Sequence, residues 1–268
     1  MKCQSIGWNL KKIARRWVYE AADMIKDSLA GPITIEAKSN PDDLVTEVDR
    51  AIEEYFYRKI RTEFPEHHFL GEEGIAEKLT SLDGIVWIID PIDGTMNFIH
   101  QRNKFAISVG VYQDGVGMIG LIYDVMSDEL FHAVRDRGAF FNEEELAPIR
   151  ERPLKESILG LNANWLVEEK NPYQNPLQAL TRDVRSTRSY GSAALEMAYV
   201  AAERLDAYVS VKLSPWDYAA ALVILHEAGC AASTFTGDRL SLLDTSTVVA
   251  AKPRLHKEMV SAYIGEEL

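Results

Sequence analysis

The sequence predicts a protein of mixed α and β structure in two parts, an N-terminal α+β region over residues 1–150 and a C-terminal α/β region over residues 151–268. Short β-prone segments separated by turn signals fill residues 105–141, which is typical of an antiparallel sheet. After residue 157 strands and helices alternate, as they do in α/β proteins. A continuous apolar run at residues 85–89, rich in β-branched residues, predicts a strand that is buried on both faces.

Length, composition and charge exclude several classes of protein. The 268 residues suffice for one large domain or two smaller ones, and 47% hydrophobic with 26% charged residues is ordinary for a globular protein. No run approaches the ~18 apolar residues of a membrane span. The net charge of −12 argues against a general binder of nucleic acid or of anionic membranes. If the substrate is a phosphate ester, cations must therefore mediate its capture.

The cysteines and the N-terminus bear on location. Cys3 and Cys230 are the only cysteines, and their wide separation indicates neither a disulfide framework nor a zinc site. We therefore expect a cytoplasmic protein, since the cytoplasm keeps thiols reduced. Residues 1–16 include basic residues, but no apolar segment follows them, so we expect no secretory signal.

Two helices are predicted before the buried strand. Apolar residues at three- to five-residue steps predict one helix over residues 9–29, and a second runs from Thr46 to residue 64. A short alternating strand at residues 33–37 lies between them. Thr46 and Asp49 have the spacing of a capping box. The helix dipole favours a carboxylate at Asp49 whatever the function, so a structural and a catalytic role both stay open.

The buried strand is followed by the motif Asp-Pro-Ile-Asp-Gly-Thr, residues 90–95. Pro91 forces a turn, and Asp93 can face the same point in space as Asp90. Gly94 permits close approach of the backbone to a ligand, and Thr95 adds a hydroxyl. Two carboxylates and a hydroxyl at the end of a strand suit magnesium, which prefers oxygen ligands. The alternative is a surface turn, because the same residue types favour turns.

The remaining elements follow from turn signals and periodicity. Further strands are expected at residues 105–112, 116–123, 130–134, 139–141, 157–161, 184–187, 206–211, 231–235 and 247–251. Further helices are expected at residues 192–205, at residues 217–228 and from Pro253 onward. The helix at 217–228 is almost uniformly apolar and is therefore expected to be buried. Residues 165–176 are predicted to be irregular, since Pro172 and Pro176 break regular structure.

Acidic residues stand at the ends of several predicted elements. These are Asp49, Glu72 within Gly-Glu-Glu-Gly, the pair Asp90 and Asp93, and Asp217 at the start of the apolar helix. Each one alone has a structural alternative as a helix cap or a turn residue. Active sites of sheet proteins lie at such ends, so the set as a whole favours one shared site.

The motifs that carry these acids resemble the inositol monophosphatase family of metal-dependent phosphomonoesterases, and its bacterial members most. The matching segments span nearly the whole chain, at residues 38–49, 71–74, 87–98, 191–194 and 216–220. The resemblance implies the five-layered αβαβα sandwich of the metal-dependent sugar phosphatase superfamily. It also implies two or three magnesium ions, inhibition by lithium, and a homodimer.

The resemblance implies a role for each residue that matches a family motif. Metal binding falls to Glu72, Asp90, the Ile92 carbonyl, Asp93 and Asp217. The catalytic set, beside the attacking water, is Thr95 and Asp49, together with Glu72. The substrate side comprises Lys38 near the third metal and the phosphate, the amides of Gly94 and Thr95 on the phosphate, and Gly191, Ser192 and Ala193 along the substrate alcohol.

Ser210 departs from the family pattern and leaves the substrate open. Inositol-specific members usually carry a glutamate there, which grips the ring hydroxyls. The expected substrates are inositol 1-phosphate and related sugar or polyol phosphates. Fructose 1,6-bisphosphate, NADP and 3′-phosphoadenosine phosphate are alternatives, for which Lys212, Arg185 and Arg188 would supply a second phosphate subsite. A transcription or antitermination partner is the alternative from another class of protein.

Overall fold

The computed structural model describes residues 2–37, 44–76 and 79–265, with side chains from residue 9 onward. The helices are α1 (Lys2–Ser28), α2 (Glu47–Glu63), α3 (Thr95–Gln101), α4 (Gln174–Asp183), α5 (Ala193–Ala201), α6 (Pro215–Glu227) and α7 (Pro253–Met259). The strands are β1 (Ile35–Ala37), β2 (Leu44–Thr46), β3 (His68–Gly71), β4 (Ile85–Asp93), β5 (Ala106–Gln113), β6 (Val116–Asp124), β7 (Glu129–Val134), β8 (Ala139–Phe141), β9 (Glu144–Glu145), β10 (Ile158–Leu161), β11 (Ser186–Arg188), β12 (Ala207–Leu213), β13 (Ala231–Ser233) and β14 (Ser246–Ala251).

The strands form two main sheets. The larger one has seven strands in the order β3-β4-β5-β6-β7-β8-β9, and only the β3–β4 pair is parallel. The smaller one has five strands in the order β11-β10-β12-β14-β13, with β10 parallel to both of its neighbours. A separate ribbon pairs β1 with β2. The antiparallel meander predicted for residues 105–141 is confirmed.

Alternation along the strands assigns each sheet face to a layer of helices. On β4, Trp87 packs in the core cluster that contains α1 and α2, whereas Val86 packs in the cluster that contains α5 and α6. On β12, Tyr208 belongs to the same α5–α6 cluster, and Val209 packs with α4 and α7. The layers therefore run from α1 and α2 through the larger sheet, α5 and α6, and the smaller sheet to α4 and α7. The expected five-layered αβαβα sandwich is confirmed.

Helix α6 is buried between the two sheets, as its uniformly apolar sequence predicts. Two glycines in the larger sheet make room for it. A Cβ atom on Gly120 would lie 2.2 Å from the Ala220 carbonyl oxygen, and one on Gly110 would lie 3.1 Å from the Cβ of Ala219. Because the helix backbone approaches the sheet so closely, the first turn of α6, which carries Asp217, is held against the larger sheet.

Two helices were not predicted from the sequence. α4 includes Pro176, which was interpreted as a breaker, but Pro176 lies in the first turn, where an N–H has no intrahelical partner to lose. α3 begins directly after Gly94, whose φ of 98° ends the preceding strand. Helix α5 ends at Ala201, earlier than residue 205. No helix among the described residues combines the length and the apolar character that crossing a membrane requires.

The two predicted parts share a core. The strands of the larger sheet end with Glu145, and those of the smaller sheet begin with Ile158. Helices α5 and α6, from the second part, nevertheless share one cluster of buried residues with strands of the first. The boundary near residue 150 stays a prediction.

A buried ion triad at the end of the smaller sheet gives a test of fold stability. The Lys252 side chain is fully buried, and its ammonium group donates to Asp206 Oδ1 at 2.8 Å and pairs with Glu203 Oε1 at 3.1 Å. Lys252→Met would leave the buried carboxylate of Asp206 with only its longer contact to Arg152 Nε, at 3.7 Å. We therefore expect it to lower the free energy of unfolding by ~3 kcal/mol in urea titrations, the lower end of the range for breaking a buried ion pair. The exposed Lys257→Met should change it by less than ~0.5 kcal/mol. Equal stabilities would contradict the role of the triad.

Candidate active site

Three aspartates from two parts of the chain meet at one point. Asp90, Asp93 and Asp217 each offer a carboxylate oxygen, and these oxygens lie within 4.8 Å of one another. Asp90 and Asp93 are buried, and Asp217 is half-buried. The structure therefore brings these three predicted residues together, and their role as metal ligands stays a prediction.

An irregularity in β4 aims both of its aspartates. Asp90 lies within the strand, not at its end as expected, because β4 continues to Asp93. Its pairing with β5 shifts register between these two residues. Such a bulge re-aims side chains that regular pleating would send to opposite faces. The Ile92 N–H donates to Asp90 Oδ1 at 3.0 Å, which fixes one oxygen.

Asp93 is held by the turn before α5. Its Oδ2 accepts hydrogen bonds from the Ser192 hydroxyl and, at 2.8 Å, from the Ala194 N–H. Ser192 is also the N-cap of α5, where its Oγ accepts from the Leu195 N–H at 3.3 Å. Burial raises the pKa of Asp93 to about 6, although these two hydrogen bonds oppose the shift.

Asp217 belongs to a capping box at the start of α6. Its Oδ2 accepts from the Ser214 N–H at 2.8 Å, and Pro215 occupies the first turn. The structural and the functional interpretation of this residue are thus compatible. One carboxylate oxygen caps the helix, and the carboxylate also belongs to the acidic cluster.

Asp49 is fully buried in the first turn of α2 and forms the predicted capping box with Thr46. Its Oδ2 accepts from the Thr46 N–H at 2.8 Å and from the Thr46 hydroxyl. Its Oδ1 lies 3.3 Å from the Thr95 hydroxyl, which also reaches the Ile92 carbonyl oxygen at 3.1 Å. Burial raises the pKa of Asp49 against the hydrogen bonds from Thr46.

Negative charge is concentrated here. Burial raises the pKa of Asp90 well above its usual value, and the nearby carboxylates of Glu72, Asp93 and Asp217 raise it further. Glu72 directly follows β3 and is half-buried. A donor set of carboxylate oxygens, with an excess of buried negative charge, fits a hard divalent cation such as Mg²⁺. The residues that could hold it are Asp90, Asp93, Asp217, Glu72 and the carbonyl of Ile92.

Some of the expected substrate-side residues adjoin this cluster: Ser192 donates to Asp93, and Gly94 and Thr95 follow Asp93 directly in the chain. Gly94 has a φ of 98°, and a Cβ there would lie 3.1 Å from the Gly191 carbonyl oxygen, so the two turns pack directly. Thr95 opens α3. Ser210 is buried on β12, and its hydroxyl donates to the Lys212 carbonyl at 3.3 Å. Lys38 lies outside the described residues.

Two polar residues that sequence reasoning missed support this arrangement. The Asn97 amide donates to the Lys104 carbonyl at 2.7 Å and to the Tyr190 carbonyl at 2.6 Å, which ties α3 to the turn before α5. Glu196 is buried in α5 and accepts from two backbone N–H groups of that turn. Asn97 lies within the matching segment at residues 87–98, which could have identified it. Glu196 gave no such signal, because it is a single acid in an Ala-rich helix.

A cleft lies next to Glu72, one of the candidate metal ligands. It has a volume of about 450 Å³ and is lined by residues that include Glu72, Ser214, Trp216, Leu70 and Leu79. The metal-ligand candidate Glu72 thus faces a cleft with apolar walls.

Comparison with known proteins places the chain in a family. The model of the inositol monophosphatase family matches residues 9–266. Inositol-1-monophosphatase of Bacillus subtilis (strain 168) is 50% identical over 255 residues, covering 95% of this chain and 96% of that protein. The Nus factor SuhB of Escherichia coli (strain K12) is 36% identical over 251 residues, covering 93% of each.

Solved structures agree with the sequence comparison. SaIMPase-II bound to inositol monophosphate has a TM-score of 0.86 and 38% identity, over 96% of this chain and 93% of that one. An IMPase/NADP phosphatase complexed with Mg²⁺ and phosphate has a TM-score of 0.89 and 26% identity, over 98% and 99% of the two chains. On these matches in sequence and in structure, this chain belongs to the inositol monophosphatase family and is a phosphatase.

Proposed function

We propose that this phosphatase is a magnesium-dependent phosphomonoesterase that hydrolyses inositol 1-phosphate and related sugar or polyol phosphates with an activated water. The observation that carries the proposal is the group of three aspartate carboxylates within 4.8 Å, two of them buried, beside the Thr95–Asp49 contact. The inositol-1-monophosphatase that is 50% identical supports the substrate class.

The acidic cluster would hold two or three Mg²⁺ ions through Asp90, Asp93, Asp217, Glu72 and the Ile92 carbonyl. Bound Mg²⁺ lowers the pKa of water and neutralises charge on the phosphate. Cations bound to the cluster would also explain how an acidic protein takes an anionic substrate. The carboxylates of the cluster repel phosphate until the cations neutralise them. The Mg²⁺ and phosphate in the related IMPase/NADP phosphatase support this choice of ion.

The nucleophile would be positioned by a hydrogen-bonded chain. A water that donates to the Thr95 hydroxyl would leave that hydroxyl free to donate to Asp49 Oδ1, 3.3 Å away. The raised pKa of Asp49 makes its carboxylate a better proton acceptor than an exposed aspartate. Thr95 and Asp49 would therefore act as one unit, with Glu72 on the same side of the cluster.

The substrate would lie across the turns that meet at Gly94 and Gly191. The first N–H groups of α3, at Gly94 and Thr95, would bind phosphate, because N–H groups at a helix start lack intrahelical partners. Gly191, Ser192 and Ala193 would line the alcohol, with Ser210 behind them. The expected contact of Lys38 with the phosphate stays a prediction.

Alternatives receive less support. A second phosphate subsite would need free cations, yet the Arg188 guanidinium donates to Ser186 Oγ and to the Thr187 carbonyl, both at 2.7 Å. Arg185 and Lys212 are exposed, so a second phosphate subsite would have to be built from these two cations. A transcription-partner role is suggested by the SuhB relative alone, and the net charge of −12 does not favour it. We also propose a cytoplasmic homodimer that is inhibited by lithium.

The first prediction concerns the metal. Asp90→Asn should lower kcat at least ~100-fold, because even indirect supports of metal ligands are worth 10- to 100-fold. It should also abolish the rise in melting temperature that Mg²⁺ gives the wild type. Asp136→Asn is the matched control, since Asp136 is exposed with a φ of 60°, which asparagine tolerates. Near-normal turnover by Asp90→Asn at millimolar Mg²⁺ would rule out the assigned role.

The second prediction concerns the nucleophile. Asp49→Asn and Thr95→Ala should each lower kcat by roughly 100-fold or more, as expected for loss of acid–base assistance. Because both residues serve one water, the double variant should lose about as much as either single variant. Steady-state kinetics of the three purified variants provides the measurement. Losses that multiply would argue against a shared water.

The third prediction concerns substrate choice at Ser210. Its short neutral hydroxyl cannot bridge two ring hydroxyls, so the wild type should hydrolyse inositol 1-phosphate and other sugar or nucleotide phosphates at comparable rates. Ser210→Glu should raise kcat/KM for inositol 1-phosphate ~10- to 100-fold, the value of a charged hydrogen bond. It should lower kcat/KM for any bisphosphate.

Ser210→Gln, of equal length but without the charge, is the control and should gain much less. A wild-type preference for inositol 1-phosphate above ~100-fold would refute this interpretation of position 210, because that value is the most one charged contact provides.

A further inference from the structure

A buried acid that the proposed chemistry does not use lies behind the metal site. Glu196 is in α5 and only 3% exposed. Its Oε1 accepts from the Tyr190 N–H at 2.8 Å and from the Gly191 N–H at 3.1 Å, whereas Oε2 has no hydrogen-bond partner among the described residues. Burial raises the pKa of Glu196 to about 7.

Helix packing alone does not account for this carboxylate. Its neighbours in α5, including Leu195, Met197 and Ala198, are apolar and fully buried. A buried polar group costs stability unless it is fully hydrogen-bonded, and half of this carboxylate is not. The two hydrogen bonds that Oε1 accepts from the turn at Tyr190 and Gly191 offset this cost.

That turn leads directly to a candidate metal ligand. It continues into Ser192, whose hydroxyl donates to Asp93 Oδ2, and the Ala194 N–H donates to the same oxygen. Gly191 adopts a φ of 80°, which glycine reaches without strain but which its own flexibility does not fix. Glu196 restrains this turn because its Oε1 accepts from two consecutive backbone N–H groups, those of Tyr190 and Gly191.

The neighbouring sheet keeps the carboxylate in place. Gly160 on β10 has no positive φ that would demand glycine, yet a Cβ there would lie 2.5 Å from Glu196 Oε2. The absence of a side chain at Gly160 thus makes the space in which the carboxylate sits. A methyl group at this position would displace the carboxylate from its present position, and it would also lie 3.0 Å from Leu205 Cδ1 and 3.2 Å from Tyr208 Cδ2.

We propose that Glu196 is a positioning residue, which holds the Tyr190–Gly191 turn so that Ser192 and Ala194 fix the carboxylate of Asp93 in its metal-binding orientation. This inference rests on the proposed role of Asp93 as a metal ligand. In this role Glu196 does not contact the substrate. The oxygen that accepts the two hydrogen bonds orients the turn, and the charge of the carboxylate is not needed for it.

The test measures Mg²⁺ binding by titration calorimetry on the full chain, with melting temperatures recorded in parallel. Glu196→Ala should weaken Mg²⁺ binding about tenfold, at the lower end of the range for residues that orient metal ligands. Glu196→Gln keeps an acceptor oxygen for the two N–H groups and should bind within about threefold of the wild type. Gly160→Ala, which displaces the carboxylate from the other side, should reproduce the loss.

Val200→Ala is the matched control, because Val200 is fully buried in the same helix and its loss should lower stability without touching the turn. It should bind Mg²⁺ as the wild type does. Wild-type affinity in Glu196→Ala, or an equal loss in Glu196→Gln, would overturn the inference. If the wild type itself bound no Mg²⁺, the proposed function would fail instead. Should Glu196→Ala not fold, the comparison of Glu196→Gln with Gly160→Ala decides.

Discussion

The close approach of buried carboxylates is the constraint on which the rest of this structure depends. Asp90, Asp93 and Asp217 repel one another where little water can screen them, and burial raises the pKa of the first two. The repulsion cannot be relieved by movement, because a backbone N–H binds each carboxylate. These donors are Ile92 for Asp90, Ala194 for Asp93 and Ser214 for Asp217. A proton or a bound cation would relieve it.

The sandwich fold brings the three carboxylates together from two distant segments of the chain. β4 supplies two acids from the larger sheet, and α6 supplies the third from between the sheets. The helix approaches so closely because Gly110 and Gly120 carry no side chains where it crosses. A wider spacing of the layers would remove Asp217 from the cluster, so core packing sets the geometry of the site.

Sequence reasoning succeeded where a local pattern determines the structure. The apolar run of β4, the Thr46–Asp49 capping box and the antiparallel meander over residues 105–141 depend on residues close in sequence, and each is confirmed. Helix α4 was missed because the sequence alone does not show whether a proline lies in the first turn of a helix or ends regular structure. Glu196 was missed because no sequence pattern shows that a helical side chain binds the N–H groups of the turn before its helix.

Ser192 shows how the proposed substrate and metal sites would be coupled in this chain. The resemblance implied a contact with the substrate alcohol, whereas in the structure its hydroxyl donates to Asp93 and its Oγ accepts from the Leu195 N–H as the cap of α5. The same turn is tied to α3 through Asn97, which follows the phosphate-side residues Gly94 and Thr95. A shift of this turn would therefore move a candidate metal ligand together with the substrate-side backbone. With the proposed substrate and metal sites, this turn would make substrate geometry and metal geometry change together, as a reaction centred between them requires.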